Sequence, residues 1–229
     1  MEAVASVSQE RGLHRVCPGC GVDTEAVHFC ERCGRILPTP QGLDYFALLG
    51  VEHRLDLDPQ MLERSYYALS RRCHPDVYQM RSSEERELSL EKSSAINVAY
   101  ATLADPVQRT EYLLKQEGLG VDQAGNRVPP AIAAQLFEVQ EALVESQSGE
   151  RTLEMLERLA ACATQLQADA ERSVERLTQL GREWSQRPDR TLLEQLQQEA
   201  VQLRYLRGHA AQAVAALAAG SEQSQVREA

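Results

Sequence analysis

Four of the chain's six cysteines are spaced as Cys17-x2-Cys20, nine further residues, then Cys30-x2-Cys33. A glycine follows each pair, Gly21 and Gly34. This spacing constrains the segment more than any helix or strand propensity does. Two short turns can each offer two thiols, and together they supply the tetrahedral set that holds a soft divalent ion. Zinc in a closed structural site is the expected occupant. Four thiolates leave no open position for a substrate. "CPGC" also fits a redox motif, but that chemistry needs a βαβ setting, which this segment lacks. His14 and His28 are spare donors, read as exposed or as supporting the ligands.

The remaining chain has a different character. Leu, Ala, Gln, Glu and Arg are abundant, aromatic residues make up only 5%, and long β-branched runs are absent, so a mostly α-helical protein is expected. Net charge is −10, which argues against a general nucleic-acid binder, because phosphate contacts need clustered Lys and Arg. No apolar run is long enough to span a bilayer, and the N-terminus lacks the pattern of a secretory signal. No nucleic-acid or membrane partner and a cytoplasmic setting are therefore expected. The two other cysteines, Cys73 and Cys162, stand alone.

Composition divides the chain into residues 14–38, 44–117 and 129–219. "LPTPQG" at 37–42 reads as a linker, and "GLGVDQAGNRVPP" at 118–130 as a second break. The middle segment predicts four helices: "DYFALLG", "LDPQMLERSYYALSRRCH", "SSEERELSLEKSSAINVAYATLA" and "PVQRTEYLLKQEG". Asp44, Asp58 and Ser82 or Ser83 are their expected caps, and Gly50 and Gly118 their expected stops. The last segment predicts three longer helices, of about 130–146, 150–187 and 190–219, with a polar tail after them. The second should carry its apolar stripe on Leu153, Leu156, Ala160, Ala163, Ala170, Val174, Leu177 and Trp184. The third should use Leu192, Leu196, Ala200, Leu203, Leu206, Ala210, Val214 and Leu217. An antiparallel three-helix bundle hides all three faces.

"RRCHPDVY" at 71–78 places His74-Pro75-Asp76 directly after a basic helix. Pro75 disfavours helical geometry at His74, so the helix should end there. A plain helix stop is one reading, and a displayed surface is the other. Cys73 beside His74 invites a Cys–His catalytic reading, but adjacent helical residues do not face each other.

"DYFALLGV", "RRCHPDV" and "SAINVAYATLADPVQRTEYLL" resemble a J domain in order and spacing. With "QLFEVQEALVE" and "QLRYLR" the chain is similar to the HscB family of iron–sulfur cluster co-chaperones, over residues 44 to about 210. A tetracysteine module occurs in some members. The resemblance implies an all-α fold: a J domain at 44–117, followed by an antiparallel three-helix bundle at 129–219. The tetracysteine zinc module precedes them at 14–38, with Cys17, Cys20, Cys30 and Cys33 as ligands. It implies a DnaK/HscA-type ATP-dependent chaperone as one partner, bound through His74, Pro75 and Asp76. Arg64, Arg71 and Arg72 would add positive charge to that surface. It implies an IscU-type iron–sulfur scaffold as the other partner, bound through Ala133, Ala134, Phe137, Glu138, Glu141 and Tyr205. The family pattern usually carries larger apolar residues where Ala133 and Ala134 stand. Phe137 and Tyr205 could instead fill the bundle core. The family is not enzymatic: it stimulates the chaperone's ATPase and promotes cluster release from the scaffold. A general J protein for misfolded clients, and a metal carrier or redox protein using the cysteines themselves, are the competing readings.

Overall fold

The computed structural model describes residues 15–124, 128–148 and 152–227. His14 lies outside them. The chain forms two compact units that divide between Arg109 and Thr110.

Among the described residues, the first element of the first unit is a minimal hairpin, β1 (Arg15–Val16) against β2 (Asp23–Thr24), paired Arg15 to Thr24. Three helices follow, α1 (Tyr45–Leu49), α2 (Pro59–Cys73) and α3 (Ser83–Ala104), with a 3-10 turn at Pro75–Tyr78 between α2 and α3. Their caps are those the sequence predicts. Asp44 accepts from the Ala47 amide at 2.8 Å, Asp58 from Gln60 at 2.9 Å and Ser82 from Glu85 at 3.2 Å. Gly50 closes α1 at φ 64°, a left-handed conformation that glycine adopts without strain. α2 and α3 run antiparallel. Tyr66 Oη donates to Asn97 midway along α2, and Ser89 donates to the Cys73 carbonyl at its C-terminal end. Phe46, Leu48, Leu49, Leu62, Ile96, Ala99 and Leu103 form the apolar core.

Helix α4 (Pro106–Gln116) carries the division between the units. Asp105 starts it, accepting from the amides of Val107 and Gln108, and Gly118 ends it at φ 70°.

The second unit holds α5 (Pro130–Ser148), α6 (Leu153–Gln186) and α7 (Arg190–Arg227). Gln135 pairs with Asp169 and Glu145 with Arg158, so α5 and α6 are antiparallel. α7 returns along α6 after a short turn at Pro188, with Glu199 meeting Ser173 and Arg176. A 3-10 turn at Val121–Ala124 lies against α7, where Arg204 reaches Asp122 at 2.8 Å.

The buried stripes differ in detail from the expected ones. On α6 they comprise Leu159, Ala163, Leu166, Ala170, Ser173, Leu177, Gly181 and Trp184, whereas Leu153 is exposed. On α7, Leu193, Val201 and Ala213 join the core, and Val214 turns outward. α7 also continues past 219 to Arg227.

Candidate functional sites

The His-Pro-Asp loop is built by a forced helix end. Pro75 holds His74 extended, at φ −59° and ψ 133°, and the chain then turns through Pro75–Tyr78. The His74 carbonyl accepts from Val77 at 3.0 Å. His74 Nδ1 accepts from the Asp76 amide at 3.3 Å, which places the ring proton on Nε2. The Asp76 carboxylate accepts from the Gln79 side chain at 3.2 Å. Both side chains are nevertheless open, His74 at 54% and Asp76 at 73% exposure. A hydrogen-bond donor and an anion thus stand side by side at the surface.

What lies behind them is fixed. The last carbonyls of a helix have no partner within it. The Cys73 carbonyl receives two, the hydroxyls of Ser89 and Ser93 on α3, each at 2.7 Å. The Cys73 thiol is fully buried, and burial pushes it up to about 11, so it is a core group and not a nucleophile. Tyr78 packs inward beneath the turn. Neither serine stood out in the sequence, since two serines on a polar helix read as solvated.

Arg64 and Arg71 are exposed on α2, Arg64 donating to the Gln60 carbonyl of the preceding turn. Arg72 is engaged: its guanidinium lies 3.9 Å from the centre of the Phe29 ring.

The four cysteines converge. Their sulfurs all lie within 4.8 Å of one another, with Cys17 to Cys33 at 3.6 Å and Cys20 to Cys30 at 3.7 Å. Metal–sulfur bonds of ~2.3 Å in tetrahedral geometry place sulfurs ~3.8 Å apart, so the set fits a zinc-sized ion. The two halves repeat one another. Gly21 N–H donates to the Cys17 carbonyl and Gly34 N–H to the Cys30 carbonyl, at φ 69° and 71°. Cys17 and Cys30 are buried together with Leu37, while Cys33 is exposed.

This module does not stand apart from the helices. Leu37, expected at the start of a linker, is fully buried. His28, expected to be exposed or to support the ligands, turns away from them. Its Nε2 bonds the Leu48 carbonyl at 2.9 Å, and burial with the nearby Lys92 charge lowers its pKa to about 4. Lys92, only 1% exposed on α3, donates to the Val27 carbonyl at 3.3 Å and to Thr39 Oγ1 at 3.2 Å. Burial lowers it to about 8. Arg35 pairs with Glu84 at 3.0 Å.

On α5, Ile132, Leu136, Val139, Ala142 and Leu143 face the core. Ala133, Ala134, Phe137, Glu138 and Glu141 lie on the exposed side. Phe137 is 66% exposed, so it is not core packing. Val144, two turns on and 60% exposed, extends the same face and was not anticipated. Glu141 is drawn toward Arg158 of α6 at 3.8 Å. Tyr205 is half-buried on α7, its ring 6.3 Å from that of His209, and so belongs to a different helix from the α5 group.

Among the described residues no helix is long and apolar enough to cross a membrane.

Comparison with known proteins adds the lineage. Residues 44–112 match the DnaJ domain family. The chain is 31% identical over 130 residues to an iron–sulfur cluster co-chaperone protein HscB homologue of Arabidopsis thaliana, covering 57% of this chain and 51% of that one. It is 38% identical over 116 residues to a co-chaperone protein HscB homologue of Neisseria meningitidis, covering 50% of this chain and 69% of that one. It therefore spans about half the length of the plant relative. The crystal structure of human co-chaperone protein HscB shares its fold with a TM-score of 0.60 at 22% identity, over 85% of this chain and 94% of that one. A J domain with its exposed His-Pro-Asp turn, a C-terminal helical bundle and these relatives together make the chain a member of the HscB co-chaperone family.

Proposed function

We propose that this protein is a co-chaperone of iron–sulfur cluster assembly that brings an IscU-type scaffold to a DnaK/HscA-type chaperone and stimulates the chaperone's ATPase. The observation that carries the reading is the fixed yet open His-Pro-Asp turn. Its side chains are exposed, while the backbone beneath is held by Ser89 and Ser93. The chaperone hydrolyses ATP, so this chain needs no nucleophile. It has to bind the hydrolysis-competent conformation better than the resting one. His74 Nε2–H and the Asp76 carboxylate offer directed polar contacts, the latter suited to an arginine. Arg64, Arg71 and Arg72 give α2 a positive stretch on an acidic protein, which favours an acidic partner surface.

The scaffold-binding surface is the exposed side of α5, where Phe137 and Val144 are apolar anchors and Glu138 and Glu141 set orientation. Ala133 and Ala134 keep one end of it shallow, and Tyr205 would add an aromatic contact from α7. Cys17, Cys20, Cys30 and Cys33 hold zinc as a structural ion. The work takes place in the cytoplasm, where thiols stay reduced.

The test uses three proteins: wild type, His74→Gln, and the double variant Phe137→Ala/Val144→Ala. His74→Gln is expected to abolish stimulation of a DnaK-type chaperone while binding the scaffold normally. The double variant is expected to keep its Tm and lose scaffold affinity about thirtyfold, the equivalent of truncating an interface aromatic worth ~2 kcal/mol. Normal stimulation by His74→Gln would sink the docking assignment. Unchanged scaffold affinity in the double variant would remove α5 from the second.

A further inference from the structure

Three consecutive residues of the cysteine module touch three different helices. The Val27 carbonyl accepts from Lys92 on α3, His28 bonds the Leu48 carbonyl on α1, and Phe29 lies against Arg72 on α2. The next residue is Cys30, one of the four converging thiols. Arg15 joins the start of this segment to the end of the module, donating to the carbonyls of Ala26 and Val27 and to that of Pro38. A cation fully buried at Lys92 is costly unless its hydrogen bonds are made, so this docking is specific and not a loose apposition. Arg72 stands two residues before His74, in the last turn of α2.

We propose that the cysteine module is a positioning element for the His-Pro-Asp surface: Phe29, held in place by the metal-bound Cys30 and by Val27 and His28, fixes Arg72 and with it the last turn of α2. This rests on the reading of His74–Asp76 as the chaperone-docking surface. An arginine already held over an aromatic face loses less rotamer freedom when a partner binds. The module therefore contributes to chaperone affinity without touching the chaperone through its own ligands, and loss of the metal releases Arg72.

The test measures ATPase stimulation of a purified DnaK-type chaperone by the full, metal-loaded chain, together with amide hydrogen exchange across residues 70–78. Phe29→Ala is expected to raise the half-saturating concentration about three- to fivefold, the worth of an exposed cation–π contact, with the plateau unchanged. Phe29→Trp should restore wild-type behaviour, while Phe29→Leu, which keeps apolar bulk without a π face, should not. In an Arg72→Ala background, Phe29→Ala should add nothing. Exchange at 70–78 should rise in Phe29→Ala and in metal-depleted wild type. If Phe29→Ala fails to fold, Phe29→Leu carries the comparison. Wild-type behaviour of Phe29→Leu, or additivity with Arg72→Ala, overturns the proposal. If wild type itself gives no stimulation, the docking reading falls. Exchange alone then decides: faster exchange at 70–78 in Phe29→Ala sustains the positioning role, and unchanged exchange removes it.

Discussion

The two units of this protein are held together in different ways. In the C-terminal bundle, long helices bury repeating apolar stripes, and deep positions such as Leu159, Leu166, Leu196 and Leu206 are sealed completely. In the N-terminal unit, no helix reaches the length of α6 or α7, and single polar side chains make the decisive joins. Lys92 bonds the module's backbone, and Ser89 and Ser93 share the Cys73 carbonyl. A stripe spreads its stabilisation over many weak contacts, so no one contact sets the geometry. A point contact to a carbonyl sets direction and distance at one place. The second arrangement suits a loop whose side chains must be presented in one pose.

That contrast can be broken most forcefully by removing the metal proposed for the four cysteines. Structural zinc sites carry roughly 10–16 kcal/mol of apparent binding energy, so chelation should unfold residues 15–40. It should also lower the stability of α1–α3, because Lys92 and Arg72 lose partners, while α5–α7 keep their helicity. Hydrogen exchange resolved along the chain, before and after chelation, reads both halves. Equal loss in the bundle would contradict the contrast. Next in size is Leu166→Ala, which opens a cavity in a sealed stripe and should cost about 2–5 kcal/mol in urea unfolding of the bundle alone. Smaller is the loss of the serine clamp. Ser89→Ala should cost about 1 kcal/mol, with Ser93 still on the carbonyl. Ser89→Ala/Ser93→Ala should cost more than twice that, because a buried carbonyl is then unpaired. Simple additivity would show that the carbonyl finds another partner.

The smallest effect is a pH dependence. Folding lowers Lys92 from 10.5 to about 8, so between those values the unfolded chain binds the extra proton. Stability of the N-terminal unit should therefore rise with pH above about 8. Burial raises Cys73 from 9.0 to about 11, and this opposes the rise above pH 9. The clean window is pH 8 to 9. The urea midpoint should climb there in wild type, and Lys92→Met should flatten that slope. An equal slope in the variant would assign the effect to other groups, the metal-binding thiols first.

Much of the fold could be read from the sequence because helix boundaries and apolar periodicity are local signals. Asp44, Asp58 and Ser82 cap as expected, and Pro75 ends α2 as expected. A stripe through the plainly apolar residues of α6 takes in Leu153, which is exposed. Its true line passes through Ser173 and Gly181, which no hydropathy pattern would choose. The cysteine spacing announced a metal-binding set, and the sulfur distances fit one. The joins between that set and the helices were hidden for a physical reason. A lysine, a histidine and a phenylalanine acquire their partners only through contacts 20 to 65 residues distant in sequence. Read alone, Lys92 is a solvated cation on a polar helix.

The run from Val27 to Cys30 also bears on where this molecule can be cut. The recognisable J domain spans residues 44–112, and a fragment taken at those limits would look complete by sequence. It would leave Lys92 without its Val27 and Thr39 acceptors and open that part of α3 to solvent. It would bare the Leu48 carbonyl and leave Arg72 swinging beside the loop. The heritable segment and the mechanical part do not share a boundary here. An excised J fragment would report on a weaker and more heterogeneous tool than the one the whole chain supplies.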